Sequence, residues 1–408
     1  MKSRILELFD ITCVCFNPYL TDKRNPIRPV NQRQASFNDD YDFGCIFVDI
    51  FFDEKENIVH AIGAPLYQQK DLVFNNNIKL VKNLNNINVR IFNKNLNFTK
   101  VQIEEILLDR TTHYKLYYQS LLKLNYLKFN NYGKVEFYNI NNSENELLRN
   151  KRVIIIKNKD NKFEWFSDFA HFYKIIHKAD ALLIYDSSEN YTSSELLNFL
   201  KENIDLSVVV VRWPIPFGPT SYNKSKWDSD YSLYTMFEHA KFRFLKYAKS
   251  VLHVDIDELV ISKNNASIFE EAEKSDKPIY FDGMWVVNTI NYDNYSYKDL
   301  IYIDKETSGN SDIVSAYKKR SRAVVKWCIS PKNIEDFDDI QCRVHDHYNI
   351  KEKISLRREL NSNFETRHFM SITTGWRTKA RFEVIEDKTN LEECKILKQY
   401  YTKLGWFN

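Results

Sequence analysis

Hydrophobic and polar positions are spaced differently on the two sides of residue 150. Before it, short β-rich runs such as Cys45–Phe52 and Asn88–Phe92 are separated by Asn, Asp and Lys turns. Helices are expected around Lys100–Leu108 and Tyr114–Leu124. After it, Arg152–Lys157 (RVIIIK) is a continuous apolar run, the pattern of a strand covered on both faces. Phe166, Phe169, Tyr173 and Ile176 mark one face of a helix. Ala181–Tyr185 is a second buried strand, ending at Asp186. Thr192 and Glu195 then read as a capping box that opens a helix through Leu200. Leu206–Val211 is a third strand. Leu233, Phe237, Ala240, Phe244 and Ala248 line another helix, with Glu238, Arg243, Lys246 and Lys249 on its other face. Ser250–Val254 is a fourth strand and runs straight into Asp255.

Strand–helix alternation of this kind predicts an α/β domain with a mainly parallel sheet over residues 149–385. A β-rich N-terminal domain over 1–148 precedes it, and a helical tail over 386–408 follows. Such sheets bind ligands beyond the carboxyl ends of their strands. The residues terminating the strands are therefore the first candidates for chemistry. The loop Trp213-Pro-Ile-Pro-Phe-Gly-Pro219 falls at such an end and is expected to border the site.

Composition narrows the classes. Basic residues number 58 and acidic ones 55, a net charge of +3, which argues against nucleic acid as the main partner. The six cysteines form no C-x-x-C pair, which fits a reducing compartment. Glu7 and Asp10 interrupt what would have to be a signal-peptide core, and no apolar stretch has membrane-spanning length. A cytoplasmic location is expected, with any membrane contact peripheral.

Copies of the pattern D-x-D include Asp228/Asp230, Asp255/Asp257 and Asp336/Asp338. Only the middle copy follows an apolar strand. Alternation along an extended chain places Asp255 and Asp257 on one side, where they can hold a hard divalent cation (Mn2+ or Mg2+) that bridges a nucleotide diphosphate. Such a cation takes up the charge of a departing nucleoside diphosphate. The other two copies lie in polar stretches and read as turns or caps.

HVDIDELVI resembles the "D-x-D-E plus apolar" segment of glycosyltransferase families 2 and 92. The upstream LLIYDSSENYTSSELL is similar to their strand–Asp–x–Ser segment, and the downstream VVKWCISPKNIEDFDDIQCRVHDHY to the run that ends in a Val–His pair. The resemblance, over roughly residues 150 to 380, implies the GT-A fold, a Rossmann-like arrangement. It implies transfer of a hexose-class sugar from a nucleotide sugar, expected to be a UDP-sugar, to a saccharide or glycolipid acceptor, with inversion. By the same resemblance Asp186 contacts the nucleotide, Asp255 belongs to nucleotide and metal sites together, and His345 joins Asp255 and Asp257 as a metal ligand. The basic residue that family 2 enzymes carry ahead of the motif has no match, since its position lands on Asp228–Ser229; Lys224 and Lys226 are the nearest substitutes, and Lys226 is taken as nucleotide-binding. Bacterial surface polysaccharide or lipooligosaccharide assembly fits a bacterial-looking chain of this kind.

An inverting transfer also needs a base for the acceptor hydroxyl. Asp282 is the candidate, because it ends a short apolar stretch and precedes Gly283, which permits a sharp turn; Asp293 and Glu335 are alternatives. His347 is expected to face the same way as His345, and His368 is a further metal-ligand candidate. Trp285 and Trp376 are candidate sugar-stacking residues. Two other functions compete: a glycan-binding protein on a degenerate GT-A fold, and a metal-dependent phosphotransferase or hydrolase. The compact acidic pair disfavours both, since the first needs no metal and the second usually needs more ligands.

Overall fold

The computed structural model describes residues 4–16, 24–67, 78–81, 98–99, 101–118, 126–131, 134–220, 228–291, 295–304, 323–357, 359–374 and 383–407. After a first strand, β1 (Leu6–Phe9), come β2 (Asp49–Asp53), β3 (Ile58–Gly63) and β4 (Thr112–Tyr118), paired antiparallel in that order. The helices expected over Lys100–Leu108 and Tyr114–Leu124 are replaced by strands at Val101–Leu107 and Thr112–Tyr118. Val101–Leu107 pairs along its length with β4, and Arg110 turns the reversal between them at φ 54°. Cross-strand pairing against the aromatic and β-branched residues of β4 outweighs the weak helical spacing. Cys45–Phe52 divides into Cys45–Phe47 and β2. Asn88–Phe92 lies outside the described residues.

The apolar runs of the second part form the centre of an eleven-stranded sheet. β5 (Arg152–Asn158), β6 (Ala181–Asp186), β7 (Ser207–Arg212) and β8 (Ser250–His253) pair in parallel, in the order β7-β6-β5-β8. β1 joins β7 in parallel at the edge, so this strand belongs to the central sheet and not to a separate N-terminal unit. Past β8 the sheet becomes mixed. β9 (Glu258–Ser262), β10 (Ile279–Val286), β11 (Ala323–Ile329) and β12 (Phe364–Phe369) pair in the order β8-β11-β10-β12-β9, with only β10 and β12 parallel. The architecture is α/β with a large central sheet, parallel over its first five strands.

Both faces of the parallel strands are covered, which accounts for their lack of alternation. Ile154, Ile156, Leu182, Ile184, Val208 and Val210 pack under α1 (Phe163–His177) and α2 (Ser193–Asn203). The capping box forms at α2: Thr192 accepts from the Glu195 amide and Glu195 from the Thr192 amide. Val153, Ile155, Leu183, Val209 and Val211 pack on the other face against α3 (Tyr231–Ala240) and against Phe37, Tyr41 and Val48.

α3 and the π-helical turn Lys241–Leu245 after it are buried all round. Their polar side, which the sequence pattern leaves to solvent, is gripped by the N-terminal strands. Glu238 is 2.8 Å from His113, and Asp49 is 2.9 Å from His239 and 2.5 Å from Arg243. The C-terminal segment carries the expected helix, α4 (Lys395–Lys403), but Leu397, Tyr400 and Tyr401 sit in the main core. No helix among the described residues is long and apolar enough to cross a membrane.

Candidate active site

Two adjoining hollows open along the carboxyl ends of β5 to β8. The larger, about 720 Å³, is walled by Asp186, Ser188, Tyr191, Arg212, Trp213 and Phe217, and the proline loop borders it as its position predicts. The smaller, about 280 Å³, is walled by Asp230, Asp255, Asp257, Lys326, His345 and His368. Lys157, Lys159 and Phe217 belong to both walls, so the two hollows meet at the end of β5.

Asp255 and Asp257 lie in the tight turn between β8 and β9, not on an extended strand. The Asp255 amide donates to Glu258 Oε2 at 2.9 Å, and the Glu258 amide donates to the Asp255 carbonyl at 3.0 Å. This reciprocal cap fixes the turn, and both aspartates reach the smaller hollow. Lys326, from the middle of β11, points its buried ammonium at the same turn. It bonds Asp255 Oδ2 and lies 3.0 Å from Glu258 Oε2. Burial alone would raise the Asp255 carboxyl; the Lys326 ammonium, with His253 and His368, outweighs it and holds Asp255 well below the usual range. At Glu258, burial prevails over Lys326 and pushes the carboxyl up.

Strand register assembles the far wall. Glu258 of β9 lies opposite His368 of β12, which lies beside Trp285 of β10. His368 Nε2 is 3.0 Å from Asp257 Oδ2, and the Trp285 ring stacks on the imidazole at 4.0 Å. His345 donates through Nδ1 to the Val325 carbonyl at 2.9 Å, which leaves Nε2 as its lone-pair nitrogen. Burial lowers its pKa, so the ring is neutral near pH 7.

Asp255, Asp257 and Glu258 put three carboxylates around the Lys326 ammonium and the His368 imidazole. Asp255 is also open, with its side chain 42% exposed. This negative charge, with a neutral imidazole on the same wall, fits a divalent cation. Asp255, Asp257 and His345 are not among the described residues whose ligand atoms gather within 4.8 Å. An ion on this wall would therefore need ligands beyond these three side chains.

Other expected residues are placed differently. Asp186 lines the larger hollow, but Asn158 and Ser188 occupy its Oδ1 and Ser193 its Oδ2, at 2.6–2.8 Å. It organises the loop after β6. His347 is buried against Trp327, with Nδ1 at 3.0 Å from Tyr280, and does not share the direction of His345. Asp228 is locked to Arg28 at 2.8 Å, whereas Asp230 of the same D-x-D copy walls the smaller hollow. Lys224, Lys226, Asp293 and Trp376 lie outside the described residues. Glu335 is exposed and is absent from both walls.

Asp282 also lines neither hollow. β10 runs straight through Asp282 and Gly283, with a bulge in its pairing to β11 in place of the expected turn. Gly283 is needed for a different reason: a Cβ there would stand 2.1 Å from the Thr366 carbonyl oxygen of β12. Gly283→Ala is therefore expected to destabilise the chain by about 1–3 kcal/mol through overpacking, read by urea denaturation. A wild-type midpoint would show that β12 is free to move away.

The cations and the imidazole of this site were missed or weakly signalled in sequence. Lys157 and Lys159 follow the apolar run of β5, and Lys326 interrupts the otherwise apolar AVVKWCI. A lysine inside a buried strand requires a carboxylate, and that was the available signal.

No family model matches the sequence, and no curated protein matches it significantly. Among solved structures the chain is similar to HddC from Yersinia pseudotuberculosis, at 10% identity and a TM-score of 0.27, covering 63% of this chain and 100% of that one. A likeness of that degree leaves the site to be read from its own geometry.

Proposed function

We propose that this chain is a divalent-cation-dependent glycosyltransferase that moves a sugar from a nucleotide-sugar donor, a UDP-sugar in the first instance, to a saccharide or glycolipid acceptor. The supporting observation is the capped acidic turn Asp255–Asp257 on a hollow that joins a larger one at Lys157 and Lys159. Mn2+ or Mg2+ held by Asp255, Asp257 and His345 would supply neutralising charge for the departing nucleoside diphosphate. Lys157 and Lys159 add positive charge where the hollows meet. Lys157 is fixed by a hydrogen bond to Ser232, with its ammonium over the Phe217 ring. Phe217 and Tyr191 give the larger hollow aromatic surfaces suited to a base and ribose.

With Asp255 and Asp257 assigned to the cation, Asp230 is the wall carboxylate left to take the acceptor proton, replacing Asp282 in that role. Asp230→Asn is expected to lower kcat by about 10²–10⁴ with the donor KM unchanged. An equal loss in donor affinity would move Asp230 to the donor side. The reaction itself is tested by incubating the protein with a panel of nucleotide sugars and acceptors, with Mn2+ and with EDTA, and measuring released nucleoside diphosphate. Turnover that requires the metal supports the assignment. Glycan binding without turnover of any donor defeats it.

A further inference from the structure

The turn between β2 and β3 carries a second group of metal-ligating side chains. Asp53 closes β2, Glu56 sits in the turn and His60 lies in β3; one ligand atom from each lies within 4.8 Å of the others. The imidazole sets this group apart from an ordinary acidic turn. His60 is fully buried, its Nδ1 is 2.9 Å from His113 Nε2, and its Nε2 has no hydrogen-bond partner.

Proton positions follow from the far end of this chain of groups. Glu238 lies 2.8 Å from His113 Nδ1, and although burial raises its carboxyl, Lys241 and His113 bring it below the usual range. An ionised Glu238 must accept, so His113 Nδ1 carries the proton and its Nε2 is a bare acceptor. His60 then donates to His113 through Nδ1. What remains is a buried Nε2 lone pair without a donor, on a ring one nitrogen of which lies within 4.8 Å of carboxylate oxygens of Asp53 and Glu56, and a bound cation would satisfy such a group. A ligating histidine whose other nitrogen is tied through a chain to a carboxylate is the usual outer-shell pattern of metal sites. Lys246 pairs with Glu56 and also with Asp338 at 2.8 Å, so it keeps a partner if Glu56 turns to an ion, and Lys115 lies opposite His60 across β3 and β4.

We propose that Asp53, Glu56 and His60 bind a divalent transition ion of the zinc class, for which one imidazole and two carboxylates are suited ligands. Bound there, the ion ties the β2–β3 hairpin, through His113 and Glu238, to α3. This site is independent of the glycosyl-transfer reading.

The test uses the full chain carrying Asp257→Asn, which weakens the other cation site, stripped with EDTA and titrated with Co2+ followed by its visible absorption. One bound equivalent is expected, displaced by Zn2+. His60 is buried and its replacement endangers the fold, so the deciding variant is Glu56→Gln, at a side chain 28% exposed. It should weaken cobalt binding about tenfold or more. Lys246→Met, which removes the ammonium paired with Glu56, should tighten it. No bound cobalt in the Asp257→Asn chain, or unchanged affinity in both further variants, overturns the site.

Discussion

Replacing Lys326 with Met should lower the unfolding free energy by about 3–5 kcal/mol, the usual result of stripping one partner from a buried ion pair. The Lys326 side chain is 1% exposed and that of Glu258 is fully buried, so removal of the ammonium leaves a carboxylate with no solvent to take its charge. Asp255, 42% exposed, contributes less. The Glu258 carboxyl is already raised by burial, and loss of Lys326 raises it further. A carboxyl raised in the folded state contributes stability at low pH and loses it as pH climbs through the folded value. The deficit of the variant should therefore be larger at pH 8 than at pH 5. Adding Glu258→Gln removes the stranded charge and should recover part of the loss. Urea denaturation of the single and double variants at both pH values checks this, and a deficit below about 1 kcal/mol at pH 8, the range of a surface pair, would overturn the assignment.

The same residue shows how far the sequence could be read. The parallel strands were legible because each is buried on both faces, and a short β-branched run such as RVIIIK suits that placement. The acidic turn was legible because it directly follows such a strand. Its partners were not, since Lys326 and His368 come from strands 71 and 111 residues removed from the aspartates they meet. Spacing along a chain carries no information about register across β8, β11, β10, β12 and β9. Asp186 was found at its strand end, but its hydrogen bonds to Asn158, Ser188 and Ser193 depend on how two loops meet. The polar side of α3 misled for a related reason. Glu238 and Arg243 look like a solvated face until His113 and Asp49 cover them. Gly283 reads as a turn residue in isolation and is a packing residue once Thr366 lies against it.

Asp257→Asn should cost about 10²–10³ in turnover, the scale on which one group that stabilises developing charge is lost. The amide keeps the size of the side chain and an oxygen for His368, so the turn and its stacking on Trp285 should persist and the unfolding midpoint should stay near wild type. What changes is charge. The carboxylates of the turn fall from three to two, and the two that remain, Asp255 and Glu258, are those already paired with Lys326. The negative charge that draws a divalent cation is then reduced, and saturation with Mn2+ should require far higher concentration before turnover returns. Initial rates against Mn2+ concentration, with the fold followed by circular dichroism, separate this from unfolding. A folded variant that releases nucleoside diphosphate at the wild-type rate and at the same Mn2+ concentration removes the acidic turn from the chemistry.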